Sequence, residues 1–326
     1  MIRTPLCDLL GIEVPVICAP FGPWDEADLA VAVCEAGGLG SLGTAARPLP
    51  DLLAQWARVR ERTARPFAIN HTPRPFDPDA FAATLAERPA VISYHMGDPG
   101  DLVERAHAAG IRWMQQVGDV DQARTALDRG ADVLIAQGGE AGGHAGFIST
   151  FVLVPQVVDV AGNVPVVAAG GIVDGRGLAA ALALGAQGVA MGTRFLASEE
   201  MSVDPEWKRM IVRAGSGDTV QAGVVDRLLP PFNRPHSAVL PRVLRTAAIE
   251  SWIAEPSGLS TVGPALMQAI SRGGGHEYVP FAGQSAGLIR DVRPAAEIVR
   301  DTVAQAEAIL ASTMDTSVVV GTTRAR

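Results

Sequence analysis

The chain has 326 residues, of which 48% are hydrophobic and 19% are charged, and its formal net charge is -8. This composition predicts a large buried core, in one large α/β domain or in one with a smaller partner domain. The negative charge and the lack of a Lys/Arg-rich stretch argue against nucleic acid binding. The three cysteines lack metal-ligand spacing and the N-terminus lacks a signal segment. Together they predict a cytoplasmic protein without disulfides or a metal site. The longest apolar stretch, residues 177–193, is divided by Gly185, Gln187 and Gly188, so no membrane span is predicted.

Eight short apolar runs occur in the first 193 residues, each followed by Gly, Pro or Asn. Most of them are continuous rather than alternating, which is typical of parallel strands that are buried on both faces. We therefore predict strands at residues 15–20, 38–43, 67–70, 91–96, 112–117, 133–138, 164–170 and 188–193.

The segments between these runs share one pattern, with Asp near the start, apolar residues at helical spacing and Gly at the end. The clearest examples are residues 25–37, 98–110, 119–130 and 174–185. Eight strands that alternate with helices predict an α/β fold of the (β/α)8 TIM-barrel type. A doubly wound open sheet is the alternative.

The alternation of strands and helices stops after residue 196. Residues 197–283 show helical spacing and no clear strand, and they predict a helical substrate or cap domain inserted into the barrel. The barrel would then comprise residues 1–196 and 284–313, with its last helix at 293–313. Residues 314–326 carry no packing pattern and are predicted to form a loose C-terminal tail.

Two glycine-containing segments, "AAGGIVDGRG" and "MGTRF", follow the seventh and eighth predicted strands. In TIM barrels the loops after these two strands form a phosphate site, because their backbone N–H groups converge there. Alternatively, Gly170 and Gly171 only turn the chain. A Walker A motif is absent and "GGLGSLG" lacks a fitting acidic partner, so a mononucleotide held by the barrel is the better prediction.

The segment "AQGGEAGGHAG", residues 136–146, follows the sixth predicted strand. Its glycines would let a flat ring lie against the backbone. Gln137, together with Asn70 and Gln116, would place three amides at one mouth, where they suit the edge of a flavin. His144 lies in this loop and is a candidate acid or base, although it could also serve only to cap the loop.

The segments "PVICAPFG", "AGGLGSLG", "AQGGEAGGHAG", "AAGGI", "GVAMGTRFLASEE" and "AGQSAGLI" together resemble the nitronate monooxygenase family, also called 2-nitropropane dioxygenases. The resemblance extends over nearly the whole chain. It implies an FMN-dependent TIM barrel with a helical substrate domain, acting on a small-molecule substrate with O2. Enzymes of similar build include NADH:quinone reductases and FMN-dependent enoyl-acyl-carrier-protein reductases.

The resemblance also implies roles for individual residues, with His144 as the active-site histidine. The ring of FMN would be bordered by Ala19, Pro20 and Phe21, and hydrogen-bonded by Asn70, Gln116 and Gln137, beside Gly142 and Gly143. Its phosphate would be held by Gly170, Gly171, Gly192 and Thr193, under a cover of Gly283, Gln284 and Ser285. The sequence departs from the family pattern at Phe21, where methionine is usual, and at His95, an additional polar group. His95 could contact substrate, or it could be a buried histidine whose hydrogen bonds are satisfied within the protein.

Three functions are compatible with this pattern. The first is oxidation of alkyl nitronates with O2 to a carbonyl compound and nitrite. The second is NAD(P)H-dependent reduction of a quinone or an enoyl thioester on the same FMN barrel. The third, of another class, is a flavin- or phosphate-binding protein without turnover. The physiological substrate remains open, and so does the oligomeric state, for which a homodimer is one option.

Overall fold

The computed structural model of the chain describes residues 2–228, 239–256, 259, 262–270, 272 and 274–315. Its centre is a parallel sheet of eight strands. They are β1 (Val16–Cys18), β2 (Gly40–Gly43), β3 (Phe67–His71), β4 (Val91–Tyr94), β5 (Arg112–Val117), β6 (Val133–Gln137), β8 (Val166–Ala169) and β9 (Gly188–Met191).

The sheet closes into a barrel. Seven pairings follow the order β1-β9-β8-β6-β5-β4-β3-β2. The eighth joins β1 to Leu39, just before β2, where the amide of Cys18 donates to the Leu39 carbonyl oxygen at 2.9 Å and the amide of Leu39 donates to the Val16 carbonyl oxygen at 2.9 Å. The predicted TIM barrel is confirmed, and each predicted strand overlaps one of these eight.

Helices follow the barrel strands and pack around them. Asp77, Asp119 and Asp174 accept hydrogen bonds from the first backbone amides of α4, α6 and α8, as the sequence pattern predicted for two of these helices. The helices are α1 (Pro5–Leu10), α2 (Ala27–Glu35), α3 (Leu49–Arg62), α4 (Pro78–Glu87), α5 (Leu102–Ala108), α6 (Val120–Asp128), α7 (Thr150–Ala161), α8 (Gly175–Ala183), α9 (Thr193–Leu196), α10 (Pro205–Arg213), α11 (Ala247–Ala254), α12 (Gly263–Ile270) and α13 (Ala295–Asp315).

The barrel interior is a packed core, closed at the bottom by α1. Side chains such as Val91, Met114 and Val167 form one buried cluster with Leu6 and Leu10 of α1. Burial of such side chains contributes roughly 1.5–3 kcal/mol each. Because the bottom is closed, the opposite end, where the strands have their carboxyl ends, is free to hold a site.

The prediction that residues 197–283 contain no strand was wrong. A second, three-stranded antiparallel sheet joins β10 (Thr219–Gln221) and β11 (Leu240–Leu244) to β7 (Gly143–Ala145), in the order β10-β11-β7. The predicted helical character is found in α10, α11 and α12. The strand β11 was missed because its five residues stand directly before an alanine-rich helix, and because its pairing partners are distant in sequence.

The last element within the described residues is the long helix α13, which packs against α8 and α2. Its bounds, Ala295–Asp315, agree closely with the predicted helix at 293–313. Two residues of the predicted tail, 314 and 315, belong to this helix, and residues 316–326 lie outside the described residues. No helix found within the described ranges combines the length and the apolar character that crossing a membrane requires.

Candidate active site

The carboxyl ends of the barrel strands open into one cavity of about 380 Å³. Its floor includes Ser41, Ser93 and Ala190 at the strand ends, and its cover includes Trp207 and Phe281 of the inserted segment. In TIM-barrel enzymes the active site lies at this end, because the eight βα loops converge there. The cavity is therefore the candidate active site.

All but two of the residues predicted from the sequence line this cavity. Gly283 and Gln284 instead lie behind its wall: the amide of Gly283 donates to Thr193 Oγ1, and the amide of Gln284 donates to the Glu140 carbonyl oxygen, each at 2.9 Å. These two residues therefore brace the wall through their backbone amides, and their predicted place over the cofactor stays a prediction. The lining residues are Ala19, Pro20, Phe21, Asn70, His95, Gln116, Gln137, Gly142, Gly143, His144, Gly170, Gly171, Gly192, Thr193 and Ser285.

One corner of the cavity is built from backbone. Gly170 and Gly171 follow β8 with φ angles of +100° and +74°, a conformation that favours glycine. Gly192 precedes α9, and a Cβ placed on it would meet only the Cβ of Ala19, at 3.8 Å. Backbone amides that converge beside open space are the usual site for a phosphate group.

Amide side chains form a row along the floor. Asn70 Nδ2 donates to Ser93 Oγ at 3.0 Å, and Gln116 Nε2 donates to Gln137 Oε1 at 2.5 Å. The second bond fixes the orientation of both glutamines and leaves the oxygen of Gln116 and the nitrogen of Gln137 for a ligand. An adjacent acceptor and donor match the alternating edge of a pyrimidine-like ring.

His144 lies on β7, opposite Pro241 of β11, and its ring faces a carboxylate. Its Nε2 is 2.6 Å from Oδ1 of Asp226, which is 4% exposed and lies in the 3-10 turn Gly223–Arg227 of the inserted segment. A carboxylate on one ring nitrogen favours the tautomer with its proton there, and makes the other nitrogen, Nδ1, the basic one. The pair has the groups that proton transfer requires.

The glycine loop that carries His144 is held from both sides. The carboxylate of Glu140 accepts hydrogen bonds from the backbone amide and the hydroxyl of Thr150, both at 2.9 Å, so it fixes the loop to α7 and does not orient His144. From the other side, Arg242 of β11 donates through Nε and Nη2 to the Gly139 carbonyl oxygen, at 3.0 and 2.8 Å. The loop is therefore held by hydrogen bonds within the protein itself.

His95 lies beside this loop and contacts its backbone. Its Nε2 is 3.3 Å from the His144 carbonyl oxygen, so Nε2 carries the proton and donates it. Burial, and secondarily the nearby His144 ring, lower the pKa of His95 to about 4. His95 is therefore neutral at neutral pH and acts as a fixed hydrogen-bond donor.

Aromatic side chains form the cover of the cavity. Trp24 donates from Nε1 to the Gly274 carbonyl oxygen at 2.8 Å and meets Trp207 and Phe281 edge-on, with ring centroids 5.3 and 6.0 Å apart. Phe281 in turn lies 6.3 Å from the ring of His144. The cover thus joins the loop after β1 to the inserted segment and gives the cavity an apolar upper wall.

The chemistry of these groups fits a flavin mononucleotide. The backbone corner at Gly170–Gly171 suits its phosphate, the amide row suits the polar edge of its ring, and the apolar wall suits the face of a flat ring. Within the described part of the chain, no group of three or more His, Cys, Asp or Glu side chains could hold a metal ion.

Comparison with known proteins assigns the family. The family model described as nitronate monooxygenase matches residues 3–79 and 79–305. The chain belongs to the nitronate monooxygenase family. It is therefore an oxidoreductase, of a family whose members depend on flavin.

Individual relatives of the chain are named for different activities. A nitronate monooxygenase of Paraburkholderia phytofirmans is 33% identical over 91% of this chain and 93% of its own length. A Mycobacterium tuberculosis protein named (3aS,4S,5R,7aS)-5-hydroxy-7a-methyl-1-oxo-octahydro-1H-indene-4-carboxyl-CoA dehydrogenase is 41% identical over 76% of this chain and 68% of its own length. The solved structure of FabK from Thermotoga maritima superimposes with a TM-score of 0.86, at 34% identity, over 97% of this chain and 99% of that one.

Asp226 was not singled out from the sequence. It stands in the segment "VVDRLL", which has no motif, and 82 residues separate it from His144. Trp24, three residues after Phe21, was likewise given no role. A signal for both exists in hindsight, because each is a polar or aromatic residue beside a turn at the expected mouth. Only the folded chain shows which partner each one has.

Proposed function

We propose that the protein oxidises alkyl nitronates with O2, using one FMN per chain, to a carbonyl compound and nitrite. The observation that carries the proposal is the His144–Asp226 pair, at 2.6 Å, in the wall of a cavity whose other groups fit a flavin. The family supports it, since relatives named nitronate monooxygenase match about nine tenths of the chain.

Different parts of the cavity would bind the phosphate and the ring of FMN. The backbone at Gly170, Gly171 and Gly192 would hold the phosphate of FMN, and Gln116 and Gln137 would bind the polar edge of its ring. FMN, when bound, supplies the electron acceptor and the reaction with O2. The apolar cover would exclude water from the space above the ring.

His144 would act on the substrate. A nitronate is an anion, and a protonated imidazole beside its nitro group would stabilise that charge. With a neutral nitroalkane, Nδ1 of the imidazole would take the α-proton. Asp226 would hold the ring in one tautomer and balance the positive charge that the ring gains with the proton.

The proposal is tested by the absorbance spectrum of the purified protein and by anaerobic mixing with substrates. We expect a yellow protein, release of FMN rather than FAD by mass spectrometry, and bleaching by ethyl or propyl nitronate. If admission of O2 reverses the bleaching and nitrite is formed, the result would support the oxidation of nitronates. A yellow protein that neither nitronate nor NAD(P)H reduces would instead be a flavin-binding protein without turnover.

The second candidate is NAD(P)H- or NAD-linked chemistry on a quinone or an acyl thioester. It is favoured by the 41% identity to a relative named as a carboxyl-CoA dehydrogenase and by the fit to FabK. The C–H next to a thioester carbonyl is acidic in the same sense as that next to a nitro group, so His144 would serve both substrates. Rapid bleaching by NADH or NADPH, without bleaching by nitronates, would select this candidate.

A further inference from the structure

A buried carboxylate, Asp25, lies beside the cavity and has no part in the chemistry described above. Its side chain is fully buried. One oxygen, Oδ2, accepts the backbone amides of Phe21 at 2.8 Å and of Gly43 at 2.7 Å. The other, Oδ1, makes no hydrogen bond. An ionisable group held in this way is costly to bury, and packing of the core alone does not require one.

The two amides belong to different segments of the chain, and both segments line the cavity. Phe21 lies in the loop after β1, and Gly43 ends β2. The loops touch: a Cβ on Gly43 would lie 2.7 Å from the Gly22 nitrogen, so no side chain fits between them. Asp25 is thus the polar link between two strand ends, and one of them carries the residues expected to border the flavin ring.

We propose that Asp25 is a positioning residue for the flavin: its carboxylate holds the loops after β1 and β2 together against the ring, and protonation of the carboxylate loosens them. The proposal rests on the proposed flavin site. It concerns residues that do not touch the substrate, so it applies to either candidate reaction.

The burial of Asp25 makes its protonation accessible, against the effect of the groups around it. Burial raises the pKa of Asp25 to about 6, although the guanidinium of Arg47 and the two amides oppose this rise. Arg47 does not pair with the carboxylate, because its Nη2 donates to the carbonyl oxygens of Pro23 and Asp25. On the β1 side, burial raises the pKa of Cys18 well above its usual range, so that thiol stays neutral.

The acidic residues of the adjoining helix do not face this carboxylate. Glu26 and Asp28, at the start of α2, pair with Arg58 of α3, and all three side chains are substantially exposed. The protonation of Asp25 is therefore governed by its burial, by Arg47 and by its two amide donors. The carboxylate would be ionised at pH 8 and largely protonated at pH 5.

The test is binding of riboflavin to the flavin-free protein at pH 8 and at pH 5. Riboflavin has no phosphate, so titration of the FMN phosphate does not contribute. If only the ionised form is competent to bind, the apparent Kd for riboflavin rises about tenfold between pH 8 and pH 5. Asp25→Asn should bind weakly at both values, with little pH dependence. The exposed Asp51→Asn is the matched control and should behave as the wild type does.

A second measurement does not depend on the flavin. Hydrogen exchange of the Phe21 and Gly43 amides, compared between wild type and Asp25→Asn at one pH, should be faster in the variant at these two sites. Tight, pH-independent riboflavin binding by Asp25→Asn, with both amides still protected, would overturn the proposal. If the wild type binds no flavin at any pH, the flavin site itself is wrong, and the exchange of the two amides alone decides whether Asp25 links the loops.

Discussion

His144 Nε2 lies 2.6 Å from Asp226 Oδ1, and this contact joins the barrel to the inserted segment. The histidine belongs to β7, which follows β6, and the aspartate to the 3-10 turn Gly223–Arg227, which follows β10. The same two regions also share the sheet β10-β11-β7. The inserted segment therefore supplies part of the candidate catalytic unit as well as a cover.

Replacing Asp226 should impair turnover without removing the cofactor. In Asp226→Asn the ring of His144 loses the carboxylate that fixes its tautomer, and kcat should fall about a hundredfold or more, as orienting carboxylates do elsewhere. FMN content should be unchanged, because the phosphate corner lies on other strands. Asp121→Asn, on the exposed face of α6, is the control and should keep full activity. Unchanged kcat in Asp226→Asn would mean that the pair is structural.

Replacing His144 should separate its two possible roles. His144→Ala should stay yellow and folded, while turnover of neutral nitroalkanes falls by about two to four orders of magnitude, the range for loss of a general base. Preformed nitronates need no deprotonation and should lose less. Steady-state rates with nitroethane and with ethyl nitronate measure the difference. Equal losses would make His144 an anion anchor, and no loss would refute its assignment.

The barrel could be predicted from the sequence because its signals are local. Continuous apolar runs, Asp caps and terminal glycines each span a few residues, and they placed the eight barrel strands. That Asn70, Gln116 and Gln137 line one cavity could be predicted for the same reason, since all three lie near the carboxyl ends of their strands. By contrast, β11 pairs with β7, about a hundred residues away, and Asp226 lies 82 residues from His144 in the sequence. Long-range antiparallel pairing leaves little trace in a short segment.

The phosphate corner can be tested by charge. Gly171 has a φ of +74°, so any substitution there adds strain, and Asn and Asp tolerate this conformation comparably. Gly171→Asn is therefore the neutral match for Gly171→Asp. We expect Gly171→Asp to bind FMN clearly more weakly than Gly171→Asn, because its carboxylate would repel the phosphate, and the two to bind riboflavin equally. Titration by flavin fluorescence measures both. Equal FMN affinity would place the phosphate elsewhere.

The stability of the fold should depend on pH through His71, a buried side chain at the end of β3. Its Nε2 lies 2.9 Å from Thr84 Oγ1 of α4, and its Nδ1 lies 3.2 Å from Thr44 Oγ1, so both ring nitrogens are engaged. Burial lowers the pKa of His71 from 6.5 to about 4.

The unfolded chain therefore binds a proton at His71 at a higher pH than the folded chain does. The stabilising contribution is complete above pH 6.5 and is lost as the pH falls towards 4, by up to about 3 kcal/mol.

His71→Gln removes the titrating group, so it should lose less stability over this interval than the wild type does. Its stability at pH 8 should be lower, because it gives up one of the two hydroxyl contacts. Urea unfolding at pH 8, 6 and 4.5 compares the two slopes. His107→Gln, at an exposed histidine, controls for the loss of an imidazole. Parallel pH profiles for His71→Gln and the wild type would show that His71 does not set the acid sensitivity of the fold.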